Sequence, residues 1–280
     1  MIPFVDFGGS GPPLHFAHAN GYPPRAYTPF IETLTPRYRV FSMLTRPLWP
    51  DAAPNGLKDW SPLADDLAQF LDERGERDVI GVGHSLGGVV TLIAALRRPE
   101  LFRALVLIDP VLLPYSLLFL WGLFYHLGLG YRLHPLVPAA LRRRRVFATA
   151  DEMFDRYRRA PVFSRVDNRG LRAYVESLAR SRPDGQVELA YSPEWEAQIY
   201  VTGPLYEWKL WREMKDLRPP LLIVRGEKTD TFFPAAARMV RQRLPQAVIH
   251  TVEGTGHLLP MEKPAAVSQV IFDFLDKIGA

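Results

Sequence analysis

Apolar and polar positions alternate along the chain in two patterns that follow one another. Short continuous runs of apolar, often β-branched residues are typical of buried strands, and longer stretches with an apolar stripe every three to four positions are typical of helices. Strands alternating with helices predict an α/β fold, a mostly parallel sheet with helices on both faces. The predicted strands lie near 14–18, 38–44, 79–83, 104–108, 221–224 and 247–252, and the predicted helices near 26–34, from Ser61 onward, and near 89–96, 234–244 and 264–278.

The alternation stops after about residue 110. Residues 111–215 predict several helices and no convincing strand, and they carry 16 Arg and Lys against 11 Asp and Glu, a net charge of +5. The remainder of the chain is close to neutral, since the whole chain carries +4. We therefore interpret residues 111–216 as a helical cap inserted between two parts of the core, 1–110 and 217–280.

The amino-acid composition limits the classes of protein to which this chain can belong. With 280 residues, 48% hydrophobic and 23% charged, the chain is typical of a globular protein with a large core. The absence of cysteine excludes disulfides and thiolate chemistry. Residues 1–6 lack a basic stretch followed by an apolar one, so no signal peptide is visible and we expect a cytoplasmic location. Arginines scattered among acids, without an aromatic and basic motif, argue against binding to nucleic acid.

One short segment joins a predicted strand directly to a predicted helix. It reads Gly-His-Ser-Leu-Gly and places Ser85 on a sharp turn between the strand near 79–83 and the apolar stretch that follows. Such a turn lifts the serine hydroxyl clear of the sheet edge. Ser85 is therefore the candidate nucleophile.

A serine nucleophile needs a base and an acid that orients the base. Of the seven histidines, His257 is the best candidate base, because it lies in a glycine-rich loop just past the last predicted strand. Asp230, in the loop after the strand near 221–224, is our preferred acid, and Glu227 in the same loop is more easily interpreted as a solvated charge. Asp109, directly after the strand near 104–108, is the alternative acid. We expect replacement of Asp230 to lower kcat far more than replacement of Asp109.

The order Ser85, Asp230, His257, with the motifs G-H-S-L-G-G, G-E-x-x-D and G-H-x-x-P-M-E-x-P, resembles the α/β-hydrolase superfamily, in particular its capped, esterase-like or lipase-like serine hydrolases. The resemblance covers the chain outside the cap and implies an eight-stranded sheet, whose first strands near 4–7 are faint. It also implies an oxyanion hole built by the backbone N–H groups of Asn20 and Leu86. The loop around Asn20 reads H-A-N-G where relatives commonly carry H-G-x-P.

A serine nucleophile directs the predicted chemistry toward carbonyl compounds. We expect hydrolysis of carboxylic esters of apolar substrates through an acyl-enzyme, without a metal, nucleotide or organic cofactor. The alternatives are a carbon–carbon bond hydrolase, a lactonase or a thioesterase using the same three residues, and a hydrolase-like protein that binds a ligand. The sequence does not determine the acyl group, the alcohol group or the oligomeric state.

Residues 111–131 carry no formal charge and are long enough to suggest a membrane span. A single crossing there would separate Ser85 from His257, so we interpret the run as the apolar wall of a substrate pocket and expect medium to long acyl chains or other bulky apolar groups. Contact of the cap with a membrane surface, helped by the arginines at 142–145, is a less favoured alternative.

Overall fold

The computed structural model describes residues 2–280, apart from the side chain of Pro204, and has a seven-stranded sheet at its centre. The described strands are β1 (Phe4–Gly8), β2 (Pro13–Ala17), β3 (Arg39–Met43), β4 (Val79–His84), β5 (Phe102–Ile108), β6 (Val146–Phe147), β7 (Ala179–Ser181), β8 (Val187–Leu189), β9 (Leu221–Gly226) and β10 (Val248–Val252). The central sheet has the order β1-β3-β2-β4-β5-β9-β10, and within it only β1 runs antiparallel to its neighbour.

The two central strands explain why the sheet is parallel and covered. Every residue of β4 is buried, and so is every residue of β5 except Arg103. Strands that are apolar on both faces can be stable in water only when helices cover both sides. The predicted α/β fold with a mostly parallel sheet is therefore confirmed.

The number of strands differs from the eight that the resemblance implies. β1 pairs with β3 at one edge, and only four residues separate β1 from β2, which are too few for a further strand and its turns. The described chain therefore builds seven strands in this sheet, and the faint signal near 4–7 belongs to one of them.

Helices cover both faces of this sheet. Right-handed crossovers put α1, which joins β2 to β3, on the face opposite to α2 and α3, which lead toward β4 and β5. The contacts agree, because α1 packs against α13 while α2 packs against α3. The described helices are α1 (Thr28–Leu34), α2 (Ser61–Glu73), α3 (Leu86–Arg97), α4 (Tyr115–His126), α5 (Gly130–Leu133), α6 (Val137–Leu141), α7 (Ala150–Arg158), α8 (Asn168–Leu178), α9 (Pro193–Thr202), α10 (Glu207–Glu213), α11 (Pro234–Arg243), α12 (Leu259–Glu262) and α13 (Pro264–Ile278).

The segment between β5 and β9 is mainly helical, as predicted, and contains α4 to α10. It also holds a small antiparallel sheet in the order β6-β8-β7, which corrects the expectation that this segment has no strand. These strands are only two or three residues long, and a period of two cannot be recognised over so few positions. The division of the chain at residues 110 and 217 stays a prediction.

The charge-free run 111–131 folds into α4, a helix of 12 residues, followed by a turn at Gly128 with φ of 71°. Twelve residues rise about 18 Å, well below the roughly 30 Å of a bilayer core. Across residues 2–280 no helix combines the length and the apolar character that a membrane crossing needs.

Candidate active site

Ser85 is the single residue between β4 and α3, and its backbone is strained, with φ of 55° and ψ of −117°. Two glycines allow neighbouring backbone segments to approach this turn closely. A Cβ at Gly83 would lie 2.4 Å from the carbonyl oxygen of Gly87, and a Cβ at Gly87 would lie 2.1 Å from the carbonyl oxygen of Ala17. The spacing of small residues on both sides of Ser85 is thus required by the close approach of β2, β4 and α3.

The side chain of Ser85 begins a chain of two hydrogen bonds. Its Oγ lies 3.0 Å from Nε2 of His257, and Nδ1 of His257 lies 2.7 Å from Oδ2 of Asp109. Because a carboxylate can only accept, Nδ1 carries the ring proton and Nε2 is free to accept from the hydroxyl of Ser85. This is the arrangement in which a histidine can take the proton of a serine.

Asp109 follows the last residue of β5 and has a positive φ of 43°. Its backbone N–H donates to the carbonyl oxygen of Val224 at 2.8 Å, which ties it to β9. Its carboxylate is fully buried, and it accepts hydrogen bonds from the hydroxyl of Thr229 and, at 3.4 Å, from the N–H of Gly226. These contacts fix the carboxylate toward His257.

The preference for Asp230 as the acid is corrected by this geometry. Asp230 is exposed, its Oδ1 accepts from the hydroxyl of Thr231 at 3.2 Å, and it makes no hydrogen bond to His257. The strand order supplies the reason. β5 lies directly beside β4, so the N–H of Ser85 donates to the carbonyl oxygen of Ile108 at 2.9 Å, and Asp109 is the next residue. Asp230 lies four residues beyond the end of β9.

The loop that carries His257 is held by the loop after β9. The carboxylate of Glu227 accepts the N–H of Gly254 at 2.8 Å, and the N–H of Lys228 donates to the carbonyl oxygen of Thr255 at 2.8 Å. The G-E-x-x-D segment therefore positions the histidine loop. This contact explains why the motif is present even though its Asp230 does not contact His257. Glu227 is exposed, which agrees with its interpretation as a solvated charge, and its carboxylate also holds the backbone amide of Gly254.

His84, directly before Ser85, makes contacts at the site that the sequence analysis missed. Its Nε2 lies 2.8 Å from the backbone carbonyl oxygen of His257, and its Nδ1 lies 2.8 Å from the hydroxyl of Tyr27. A carbonyl only accepts, so Nε2 donates and Nδ1 accepts from Tyr27. Complete burial, and to a smaller extent the neighbouring His257, lower the pKa of His84, which keeps the ring neutral. The position of His84 inside the serine motif was the available signal.

The two amides predicted to form an oxyanion hole lie at the ends of neighbouring elements. Leu86 is the first residue of α3, where N–H groups lack helical acceptors, and Asn20 lies in the loop after β2. Neither N–H donates to an acceptor within residues 2–280. Gly21 has a positive φ of 77°, which a proline could not adopt, and this accounts for the departure from H-G-x-P. The role of both amides stays a prediction.

The mainly helical segment between β5 and β9 contacts the Asn20 loop through buried polar groups. The side chain of Asn20 donates to the backbone carbonyl oxygen of Glu196 at 3.0 Å and accepts from the hydroxyl of Tyr191 at 2.8 Å. The carboxylate of Glu196 forms an ion pair with Arg143, whose guanidinium also reaches the hydroxyl of Tyr174 at 3.1 Å. Both charged side chains are mostly buried. No sequence motif signalled these contacts, because the residues come from separate parts of the cap.

The described part of the chain shows no cluster of three or more His, Asp or Glu side chains that could hold a metal ion.

Comparison with known proteins identifies the family. A model of the alpha/beta hydrolase family matches residues 16–270. The 2-(acetamidomethylene)succinate hydrolase of Mesorhizobium japonicum is 26% identical over 96% of this chain and 89% of its own length. The strigolactone esterase D14 of Arabidopsis thaliana is 24% identical over 92% of this chain and 90% of its own.

A solved structure shows the same fold. The crystal structure of an E-2-(acetamidomethylene)succinate hydrolase superposes with a TM-score of 0.79 at 22% identity, and the match covers 98% of this chain and 95% of the other. The family match spans most of the chain on both sides of the cap, and it includes Ser85, Asp109 and His257. This protein therefore belongs to the alpha/beta hydrolase family.

Proposed function

We propose that this protein is a serine hydrolase that cleaves carboxylic esters of apolar substrates through an acyl-enzyme. The observation that carries the proposal is the hydrogen-bond chain from Ser85 through His257 to the buried Asp109, with contacts of 3.0 Å and 2.7 Å. In this proposal Asp109 takes the place of Asp230 as the acid. The hydrolase names of the relatives support the general class.

Each group has a defined part in the proposed reaction. Ser85 Oγ attacks the ester carbonyl carbon while Nε2 of His257 takes the hydroxyl proton, and Asp109 stabilises the imidazolium that forms. His257 then gives the proton to the leaving alcohol, and the acyl group stays on Ser85. Water enters, and His257 takes its proton as the water oxygen attacks the acyl carbon. The bond from the acyl carbon to Ser85 Oγ then breaks, His257 returns the proton to Oγ, and the carboxylic acid is released.

The negative charge on the carbonyl oxygen needs donors during both attacks. We assign this part to the N–H groups of Leu86 and Asn20, which have no acceptor among residues 2–280. Such donors are worth about 10²–10³ in rate each, because they are already oriented when the charge develops.

The surroundings of the Asn20 loop favour apolar substrates. The ring of Tyr22 lies 4.9 Å from that of Tyr174 and 6.3 Å from that of Phe163, measured between ring centroids. Tyr174 and Phe163 are buried residues of the cap. An aromatic wall next to the proposed oxyanion hole supports binding of a medium to long acyl chain or another bulky apolar group.

The test is a panel of p-nitrophenyl esters with acyl chains from acetate to dodecanoate. We expect kcat/KM to rise from acetate to the medium chains, and Ser85→Ala to lower kcat by about 10⁴-fold or more while the circular dichroism spectrum is unchanged. The exposed Ser164 in the cap gives a matched control, since Ser164→Ala removes a hydroxyl away from the triad. Activity retained in Ser85→Ala would overturn the proposal, and efficiency falling with each added methylene would overturn the preference for apolar acyl groups.

The number of turnovers separates an esterase from a ligand-binding relative of hydrolases. An esterase releases many equivalents of p-nitrophenol per protein and shows a transient acyl mass on the peptide that contains Ser85. One equivalent of p-nitrophenol followed by a permanent arrest would contradict the proposed function and favour a binding protein.

A further inference from the structure

The cap has an unusually apolar outer surface. Of the large apolar side chains that are exposed in the described chain, most fall within the 25 residues 117–141, and their exposed fractions run from 37% to 69%. A soluble monomer rarely exposes a large continuous apolar patch, and such patches mark binding surfaces. We call this set the apolar face, and its members are Leu117, Phe119, Leu120, Leu123, Leu127, Tyr131, Leu133, Leu136 and Leu141.

The apolar face is the outer side of one layer of helices. α4 packs against α5, α5 against α6, and both α5 and α6 pack against α9. The inner side of the layer is already occupied, since Leu118, Trp121 and Val137 are buried and the indole N–H of Trp121 donates to the carbonyl oxygen of Val201 at 3.2 Å. A helix that is apolar on all sides is normally covered on all sides. In α4 the inner side is covered by protein and the outer side is not.

The charges within the segment that carries the apolar face have one sign. Residues 110–150 contain no Asp or Glu and five arginines. Arg143, Arg144 and Arg145 form ion pairs with glutamates elsewhere in the cap. Arg132 and Arg142 are exposed and have no ion-pair partner within residues 2–280. An apolar surface beside two unpaired arginines is complementary to a partner that has both an apolar part and negatively charged groups.

We propose that the apolar face docks on the surface of an anionic lipid bilayer, with α4 lying in the interfacial plane. Apolar side chains then enter the region between head groups and acyl chains, and Arg132 and Arg142 contact the phosphates. A 12-residue helix suits this position and is too short to cross. The exposure of the apolar side chains thus favours contact with a membrane surface, which the sequence analysis gave as the less favoured alternative.

A second copy of the chain is the main competing occupant of the apolar face. A two-fold contact through this face would bring Arg132 and Arg142 of both copies onto the same interface, and residues 110–150 offer no acid to pair with them. An anionic bilayer neutralises the same arginines. The charge therefore favours the bilayer over self-association.

The test is co-sedimentation of the full chain with vesicles of phosphatidylcholine containing 30% phosphatidylglycerol, compared with vesicles of phosphatidylcholine alone. We expect binding to the anionic vesicles that weakens as salt is raised, with little binding to the neutral ones. The triple variant Phe119→Ser/Leu123→Ser/Leu127→Ser should reduce binding at least tenfold. The double variant Arg132→Gln/Arg142→Gln should reduce it about thirtyfold.

A matched control removes three exposed apolar side chains outside the apolar face, through Val162→Ser, Val248→Ser and Ile278→Ser. This control should bind vesicles as the parent does. Equal binding to neutral and anionic vesicles, or binding unaffected by the apolar variant, would overturn the proposal. So would absence of vesicle binding together with a dimer, in light scattering, that the apolar variant dissociates. Both phospholipids are themselves carboxylic esters, so the sedimentation is repeated with Ser85→Ala. Vesicle binding should be unchanged in this variant, which separates docking from the proposed ester hydrolysis.

Discussion

At the scale of single residues, the candidate site is built from two strained backbone positions. Ser85 and Asp109 each follow a parallel strand of the central sheet and each has a positive φ, 55° and 43°. Such a conformation costs on the order of 1–3 kcal/mol for a residue with a side chain, and it persists only where the surroundings enforce it. Here neighbouring strands enforce it through backbone hydrogen bonds, and the outcome is that both side chains turn toward His257.

The two candidate acids give the most direct prediction at this scale. We expect Asp109→Asn to lower kcat for ester hydrolysis by about 10⁴-fold, because an amide at this position favours the wrong tautomer of His257. Asp230→Asn should leave kcat within about twofold, because Asp230 is exposed and makes no hydrogen bond to His257. Steady-state kinetics of the two variants check this directly. A larger loss in Asp230→Asn would return the role of the acid to Asp230.

A second prediction concerns the tautomer of His84. The hydroxyl of Tyr27 holds Nδ1 as an acceptor, which leaves Nε2 to donate to the carbonyl oxygen of His257. We expect Tyr27→Phe to lower kcat about tenfold with little change in KM, because the histidine loop loses part of its positioning while the substrate pocket is kept.

The control for Tyr27→Phe is Tyr115→Phe, which removes a hydroxyl that contacts Arg243 away from the site. A purely structural role of Tyr27 would appear as a lower melting temperature with kcat unchanged, and that result would contradict the prediction.

At the scale of elements, the loops at the carboxyl ends of β2, β4, β5, β9 and β10 form one connected rim. The loop after β9 holds the histidine loop through Glu227 and holds the proposed acid, Asp109, through Thr229. The loop after β2 is held from the other side, by Tyr191 just before α9 and by Glu196 within α9. The segment between β5 and β9 is thereby linked to the loop of the proposed oxyanion hole.

This link predicts an effect of Tyr191, whose hydroxyl donates to Asn20. In Tyr191→Phe the Asn20 side chain loses one of its two partners, and the backbone N–H of Asn20 becomes less well oriented. We expect kcat to fall five- to thirtyfold for all esters of the panel, with no change in the order of preference among acyl chains. Tyr131→Phe, which removes an exposed hydroxyl in the same cap, is the matched control. A change in acyl preference with kcat retained would instead make Tyr191 a part of the substrate pocket.

At the scale of the whole molecule, the core contains buried histidines outside the candidate active site. His15 accepts the N–H of Met43 at 3.1 Å, and His18 accepts the N–H of Thr45 at 3.3 Å. Burial lowers the pKa of His15 to about 3 and that of His18 to about 4 from an ordinary value of 6.5. The protonated state of these rings is therefore available mainly in the unfolded chain.

The sign of the resulting pH dependence follows from proton uptake. Below pH 6.5 the unfolded chain binds protons at these rings while the folded chain stays neutral down to about pH 4, so the free energy of unfolding falls as the pH is lowered through this window. Each histidine should cost about 2 kcal/mol of stability at pH 5 relative to pH 7. Urea unfolding at both pH values measures the loss.

A single variant identifies the contribution of one ring. In His18→Gln the loss between pH 7 and pH 5 should be smaller by about 2 kcal/mol than in the parent. His126→Gln, at an exposed histidine, should leave the loss unchanged. The assignment fails if His18→Gln and His126→Gln show the same pH dependence.

The sequence by itself determined the features that depend on neighbours along the chain. Continuous apolar runs predicted β4 and β5, and the strand, turn and helix around Ser85 predicted the nucleophile, because backbone conformation and burial respond to a few adjacent residues. Only the tertiary structure shows that Asp109, and not Asp230, lies beside His257. Both follow a parallel strand, and the choice depends on β5 lying beside β4 in the sheet. The same holds for the run 111–131, since its apolar residues look alike in sequence and only packing divides them into a buried side and an exposed one.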